Sequence, residues 1–153
     1  MKEIKLIIFV ITLLIKTQII FGQVVVQKLS DLNFGEVFIG YSANVPDTDP
    51  NALKISFYHT STIREDFLLT LSLPNSLSNG IDNVSINFNN YASWSKVDAI
   101  TGRTYFNPYS PLRIRKIKNN QKLYLWLGGQ INSTSTISPG EYTGTIVITI
   151  EVI

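Results

Sequence analysis

The sequence predicts an exported protein with a single all-β domain, an antiparallel β-sandwich, preceded by a signal peptide. Three observations predict it: a short charged start followed by an apolar run, alternation of apolar residues along several later segments, and turn residues between those segments. Alternation with a period of two is typical of strands with one face in a core. Many short strands separated by turns are typical of a sandwich or a barrel.

Residues 1–22 are predicted to be a cleavable signal peptide. Met1–Lys5 is short and charged, and Leu6–Ile15 is almost entirely apolar, as in export leaders. The apolar run is shorter than the about 20 residues that cross a bilayer, so we expect no stable transmembrane anchor. Gly22 is the small residue that a signal peptidase accepts. We therefore expect a mature domain of residues 23–153 in the periplasm, on the outer surface or outside the cell.

Four segments alternate clearly enough to predict strands: Phe67–Leu73, Val84–Phe88, Leu123–Leu127 and Ile146–Val152. Pro74 is expected to stop the first, since proline cannot donate to a ladder, and Gly128 with Gly129 is expected to end the third. Weaker strand candidates are Val24–Leu29, Phe34–Ile39, Leu53–Tyr58, Ser93–Ala99, Thr104–Phe106 and Leu112–Ile117. The polar stretch Gln130–Ser138 is predicted to be a surface loop.

The mature domain is predicted to be electrically neutral and held by its core alone. The leader carries three of the 13 basic residues and one of the 11 acidic residues, which leaves ten of each. A neutral domain gives no general electrostatic reason to expect nucleic acid as a partner. The chain has no cysteine, so disulfides, thiol chemistry and cysteine zinc sites are excluded.

No catalytic constellation is present, and we predict a protein that is not an enzyme and needs no cofactor. His59 is the only histidine; it follows a predicted strand, and we expect it to be a solvated loop residue. There is no G-x-S-x-G motif, and one histidine cannot build a histidine metal cluster. Glu65 and Asp66 are adjacent and expected on opposite faces, so they do not form the carboxylate pair of a glycoside hydrolase.

Asp47, Asp49 and Asn51 are spaced like the opening of a calcium-binding loop. Ala52 stands where such a loop needs glycine, and Tyr58 stands where it needs a bidentate glutamate. We therefore predict a proline-framed polar turn, with a weak cation site as the alternative, and no metal site.

Tyr124, Trp126, Tyr91 and Trp94 are the candidate contacts for a ligand or a partner. Tyr124 and Trp126 lie opposite the leucines of their predicted strand, where they could form a flat platform. Tyrosine and tryptophan are preferred anchors of interfaces, and their rings can stack on sugars. The alternative is that both faces of a central strand are buried, or that a loop covers the rings.

The sequence contains one cluster of charge, formed by Arg113, Arg115, Lys116, Lys118 and Lys122. We predict a solvated strand face and turn, whose charges would also protect a sheet edge against unwanted pairing. An electrostatic site for anionic sugars or lipid headgroups is the alternative.

The two ends of the predicted domain carry motifs of a known family. Leu125–Gly129, then Ser138–Thr145 running into the last predicted strand, resembles the closing signature of the bacterial family called domain of unknown function 4402. Leu32–Val37 resembles its opening, and Leu69–Pro74 resembles its middle. The resemblance spans essentially the whole mature chain. It implies an exported immunoglobulin-like sandwich, distantly similar to pilin and spore-coat domains, with no catalytic residues to transfer.

The residues of this signature are Phe34, Gly35, Pro139, Gly140, Tyr142 and Gly144. Pro139–Gly140 is expected to set a turn into the last strand, and Tyr142 to close the end of the sandwich as a tyrosine corner does. Gly144 permits a bulge or the close approach of a neighbouring chain. These roles are architectural.

The function that we expect is that of a structural or adhesive module of a bacterial cell surface or surface appendage. Such a module would associate with other surface proteins or with copies of itself through sheet edges and faces. Pilin-like strand donation is a subsidiary hypothesis, because Val24–Val26 does not form a long alternating donor. A carbohydrate-binding module that uses exposed tyrosine and tryptophan is the alternative.

Overall fold

The structure, a computed structural model, describes residues 23–88, 91–133 and 136–153. The predicted signal peptide lies outside the described residues. Within them the protein is all-β, with antiparallel strands and no helix, and the predicted antiparallel β-sandwich is confirmed. The strands are β1 (Val24–Ser30), β2 (Ser42–Val45), β3 (Leu53–His59), β4 (Glu65–Ser72), β5 (Ser76–Ser78), β6 (Asn83–Asn87), β7 (Ala92–Ser95), β8 (Thr104–Tyr105), β9 (Leu112–Ile117), β10 (Leu123–Leu127), β11 (Gly129–Asn132) and β12 (Val147–Val152).

These strands form three sheets that share one core. The five-stranded sheet has the order β1-β3-β10-β7-β8, the four-stranded sheet β2-β11-β6-β5, and the three-stranded sheet β12-β4-β9. All three contribute buried side chains to a single cluster, among them Phe57, Leu69, Ile86 and Leu125. The period of two along the sequence thus places one face of each long strand in the core.

One extended segment passes from the five-stranded sheet into the four-stranded sheet at Gly128. β10 pairs with β3 and β7, and β11 pairs with β2 and β6. A side chain on Gly128 would collide with the main chain of Val45 and Asp47, so glycine is required where the two backbones meet. The predicted end of the strand at Leu127 is confirmed, but the predicted surface loop Gln130–Ser138 is wrong at its start, because Gln130–Asn132 belongs to β11.

Two other predicted strands differ from the structure. Phe34–Ile39 forms no strand, because Gly35 and Gly40 have φ angles of 65° and 83° that interrupt an extended chain at both ends. Ser93–Ala99 is extended only as far as Ser95. There the Ser95 hydroxyl accepts a hydrogen bond from the Val97 N–H at 3.1 Å, which closes a turn.

Candidate functional site

An open groove runs between β1 of the five-stranded sheet and β12 of the three-stranded sheet, and we call it the seam groove. Its volume is about 830 Å³. Val26 and Lys28 of β1 line one wall, and Ile146 and Ile148 line the other. Its floor consists of core side chains of β3, β6 and β11 and the residue after β6: Leu53, Ile55, Val84, Ile86, Phe88 and Ile131. The groove therefore opens directly onto the hydrophobic core.

Inward-facing side chains along this seam are incompletely covered. Ile148 of β12 pairs directly with Leu71 of β4, so both point to the core face, yet Ile148 is half-buried while Leu71 is buried. On the opposite wall Val26 pairs with Phe57, and Val26 is 52% exposed although Phe57 is fully buried. Apolar area left in water forfeits about 25 cal/mol per Å² of stabilisation. The sandwich is thus not closed along the seam.

Each wall of the seam groove also carries an unpaired main-chain edge. Among the described residues β1 pairs only with β3, and β12 pairs only with β4. The N–H and C=O groups of a free edge form a template for another strand. An extended peptide can satisfy these groups, whereas an acyl chain cannot.

The segment Asp31–Tyr41 crosses the mouth of the groove without joining a sheet. Phe34, Val37 and Ile39 line the groove, while Phe38 points away from it and is 78% exposed. Tyr41 is 69% exposed. The segment is therefore largely apolar, free of ladder pairing and accessible from outside.

All six signature residues line the seam groove: Phe34, Gly35, Pro139, Gly140, Tyr142 and Gly144. The Tyr142 hydroxyl donates to the Ser138 carbonyl at 2.8 Å, which is the local hydrogen bond of a tyrosine corner. A Cβ on Gly144 would lie 2.7 Å from the end of the Leu77 side chain, so a larger residue there would push that side chain aside. The signature residues shape the end of the groove rather than a catalytic centre.

Asp82 holds the loop that precedes β12. Its carboxylate accepts a hydrogen bond from the Ser138 N–H at 2.7 Å. Hydrogen bonds from the Ser138 side chain and main chain hold the pKa of Asp82 below its ordinary value of 3.8. Desolvation, followed by the negative charge of Asp82, raises the pKa of Tyr142 above 10.0. The ionised form of Asp82 thus stabilises this end of the groove.

Tyr124 and Trp126 stack on each other, but they do not form an exposed platform. Their ring centroids are 5.9 Å apart, and Trp126 is only 3% exposed. The Arg103 guanidinium lies 3.6 Å from the centroid of the Trp126 ring, and Lys54 Nζ lies within 6 Å of both rings, at 5.8 and 5.7 Å. A cation over an aromatic face is attractive, and here it occupies the face that a sugar would use.

Arg103 is itself held by a buried acid, Asp47. Arg103 Nη1 donates to the Asp47 carbonyl at 2.6 Å and lies 3.4 Å from its carboxylate, while Nε donates to the Ala99 carbonyl at 2.8 Å. Both charged side chains are nearly buried, with 5% and 6% exposure. Ser93 donates a further hydrogen bond to the same carboxylate. Asp47 therefore fastens the predicted polar turn to the loop that carries Arg103.

The other two aromatic candidates lie elsewhere. Trp94 pairs with Leu125, whereas Ser93 pairs with Trp126, so Trp94 and Trp126 are on opposite faces of the sheet. Trp94 packs against the core, and its Nε1 is buried without a hydrogen-bond partner among the described residues. Tyr91 is half-buried, and its carbonyl accepts the Gly128 N–H at 2.7 Å. The four candidates do not form one surface.

His59 is fully buried, and the prediction of a solvated loop histidine is wrong. Its Nε2 lies 3.0 Å from the Ile117 carbonyl, and its ring packs against Phe67 with centroids 5.6 Å apart. The polar residues that follow it in sequence gave no sign of this, because the covering strand, β9, comes more than fifty residues later.

Within the described ranges, no cluster of three or more histidine or acidic side chains is arranged to hold a metal ion, and no helix is long and apolar enough to span a membrane.

No protein-family model matches the chain, and no curated protein matches it. The resemblance to the family of domain of unknown function 4402 stays a prediction.

Proposed function

We propose that the protein is an exported, non-enzymatic structural or adhesive module of a bacterial cell surface or surface appendage, and that it works by associating with further copies of itself. The seam groove carries this proposal, since apolar core side chains line an open channel between two unpaired strand edges. The addition of an extended segment from another copy would both pair with an unpaired edge and cover the apolar floor. Main-chain hydrogen bonds satisfy the edges, and alternate side chains of the incoming strand fill the apolar floor.

The same chain offers a segment suited to enter such a groove. Glu36–Tyr41 pairs with no strand and carries Phe38 with 78% and Tyr41 with 69% of the residue exposed. Large aromatic side chains in water are the usual anchors of an interface. Val37 and Ile39 of this segment line the groove of their own chain, so its outer side, with Phe38 and Tyr41, is the surface offered to a neighbour. That outer side differs from the groove floor, so the contact is heterologous and adds copies head to tail.

The remaining free edges are poorer acceptors. β2, β5 and β8 have four, three and two residues, and β9 is bulged and basic. Short, charged or bulged edges discourage pairing. The free edges on β1 and β12 have seven and six residues, and both face the seam groove; β1 shifts register only near its end, between Lys28 and Ser30.

Sedimentation velocity of the chain from residue 23 onward, over a range of concentrations, tests this proposal. We expect concentration-dependent oligomers that also run as heat-sensitive, detergent-resistant ladders. Val26→Asp places a charge in the groove wall, and Phe38→Ser removes the main anchor of the incoming segment. Each variant alone should remain monomeric. Val97→Asp, at a site 63% exposed and outside the groove lining, is the matched control and should assemble normally.

Mixing the two defective variants gives the sharpest result. The Val26→Asp chain retains its segment and the Phe38→Ser chain retains its groove, so an equimolar mixture should give a one-to-one dimer that grows no further. Circular dichroism and thermal melting of each variant establish that it is folded. A monomeric parent chain at every concentration, or a mixture that stays monomeric, would contradict the proposal.

A further inference from the structure

The free edge of the three-stranded sheet opposite the seam groove carries the basic cluster. Its members are Arg113, Arg115, Lys116, Lys118 and Lys122, on β9 and in the turn that follows. Every exposed residue from 112 to 122 is arginine, lysine or asparagine. Among the described ion pairs only one, between Arg113 and Asp66 at 2.8 Å, involves a member of the cluster. The other four cations have no ion-pair partner among the described residues, although the formal charges of residues 23–153 sum to zero.

A β-bulge gathers these charges on one face. Between the paired positions of Ile114 and Ile117, β9 has two residues, Arg115 and Lys116, where β4 has one, Asp66. Residues three apart in a regular strand face opposite sides, yet Ile114 and Ile117 are both buried, with 2% and 0% exposure. The extra residue keeps both isoleucines in the core and leaves two consecutive cations in water.

The backbone at the bulge is held in an unusual conformation. Lys116 has a φ of 56°, in the left-handed region that residues other than glycine rarely adopt. Its N–H donates to the Asp66 carboxylate at 2.8 Å, and the same carboxylate receives Arg113. Such conformations persist where surrounding contacts fix them, often at binding sites.

Protection of a sheet edge does not explain the whole cluster. A bulge and one or two charges suffice to block pairing along β9. Lys118 and Lys122 lie beyond the end of the strand, where there is no ladder to protect. These two lysines extend the line of charge past the sheet.

We infer that the outer face of β9 and its following turn bind a linear anionic polysaccharide. Arg113 and Arg115 are alternate residues of the strand, about 6.6 Å apart, and the bulge and the following turn continue the line of charge to Lys122. A line of cations of this kind suits a chain of charged sugars. Nucleic acid binding normally adds aromatic rings for stacking, and membrane binding adds exposed apolar side chains. The exposed residues of 112–122 include neither.

Binding to heparin, with neutral dextran as the comparator, tests the inference in the Val26→Asp background, so that assembly does not contribute. We expect retention at low ionic strength and release by salt. Arg115→Gln with Lys118→Gln should weaken binding about tenfold and make the dependence of log K on log salt shallower by about two. The control pair, Lys28→Gln with Lys96→Gln, removes the same net charge from other sites and should bind like the parent.

Failure of the parent to bind heparin, or an equal loss in both double variants, would overturn the inference. Tighter binding to phosphatidylserine vesicles or to a single-stranded oligonucleotide, lost in the Arg115 and Lys118 variant, would also overturn it, because the surface would then belong to a membrane or a nucleic acid. Since every protein in this test is monomeric, its outcome is independent of the assembly proposed for the seam groove.

Discussion

Replacing Arg103 by alanine should be among the most damaging single substitutions in this domain. Arg103 is 5% exposed and joins three features: the Trp126 ring, the Ala99 carbonyl and the carboxylate and carbonyl of Asp47. Its removal leaves Asp47 buried with, among the described residues, only the hydroxyl of Ser93 as a side-chain donor. The turn that follows β2 and the loop before β8 then lose their common anchor.

The expected cost follows from these contacts. Removing one partner of a buried ion pair costs about 3–5 kcal/mol, because the remaining charge is buried without compensation. A desolvated cation–π contact adds roughly 2 kcal/mol, and water entering the space left by the side chain offsets part of the total. We expect a loss of about 4 kcal/mol in the free energy of unfolding, against a total of about 5–15 kcal/mol for a typical domain.

Urea denaturation followed by tryptophan fluorescence measures this loss, since Trp126, one of the two tryptophans, contacts Arg103. The matched control is Arg113→Ala, whose ion pair with Asp66 is exposed and contributes little. Arg103→Ala should lower the urea midpoint far more than Arg113→Ala and shift the native emission to longer wavelength. Similar midpoints for the two variants would show that the buried pair does not hold these loops.

Gly128→Ala should lower the free energy of unfolding by about 3 kcal/mol or more, because the new Cβ would meet the main chain at the end of β2. Gly129→Ala, whose Cβ would have no atom nearer than 3.4 Å, should lower it by under about 1 kcal/mol, and chemical denaturation of both variants measures the difference. Tyr142→Phe should lower the melting temperature modestly by removing the hydroxyl bond at 2.8 Å, with little change in circular dichroism. The hydrogen bond from the Lys116 main chain, and after it the one from the Arg113 side chain, hold the pKa of Asp66 below its ordinary value of 3.8. Ionised Asp66 therefore stabilises the fold above the unfolded pKa, and this stabilisation is lost as the pH falls through the lower pKa of the folded state. Urea midpoints at successive pH values should therefore fall less steeply in acid for Asp66→Asn than for the parent, and identical slopes would contradict this assignment.

The local pattern predicted the bounds of strands whose partners all belong to one sheet. β9 and β10 have the predicted bounds, and the three leucines of β10 are all fully buried. The prediction failed where the backbone changes direction or sheet. Nothing in the residues around Gly128 shows that the end of β2 passes against it, and the glycines at 35 and 40 interrupt an apolar segment that otherwise has the composition of a strand.

The candidate site was less predictable than the fold, because its features depend on distant pairs. Arg103 follows a turn in the sequence, and its partner Asp47 is 56 residues away. That distance also explains why the burial of Trp126 could not be read from the alternation of its strand. The seam groove exists only because β1 and β12 come together without pairing. In the sequence, the signature residues marked the position of the groove, because all six of them line it.

The two edges of the three-stranded sheet, β9 and β12, carry opposite kinds of residue. β9 carries a bulge and unpaired cations, whereas β12 presents half-buried isoleucines beside an unpaired ladder. Lys28, a charge on the facing wall that would discourage pairing, is neutralised by Asp31 at 2.9 Å. A seam that was merely badly packed would be expected to carry the protection seen on β9. β1 shifts register between Lys28 and Ser30, but the pairing of β12 with β4 has no such shift, and β12 carries no cation. The unprotected edge of β12 therefore favours a seam that is completed by another chain, about 10 Å across one sheet from an edge suited to an acidic polymer.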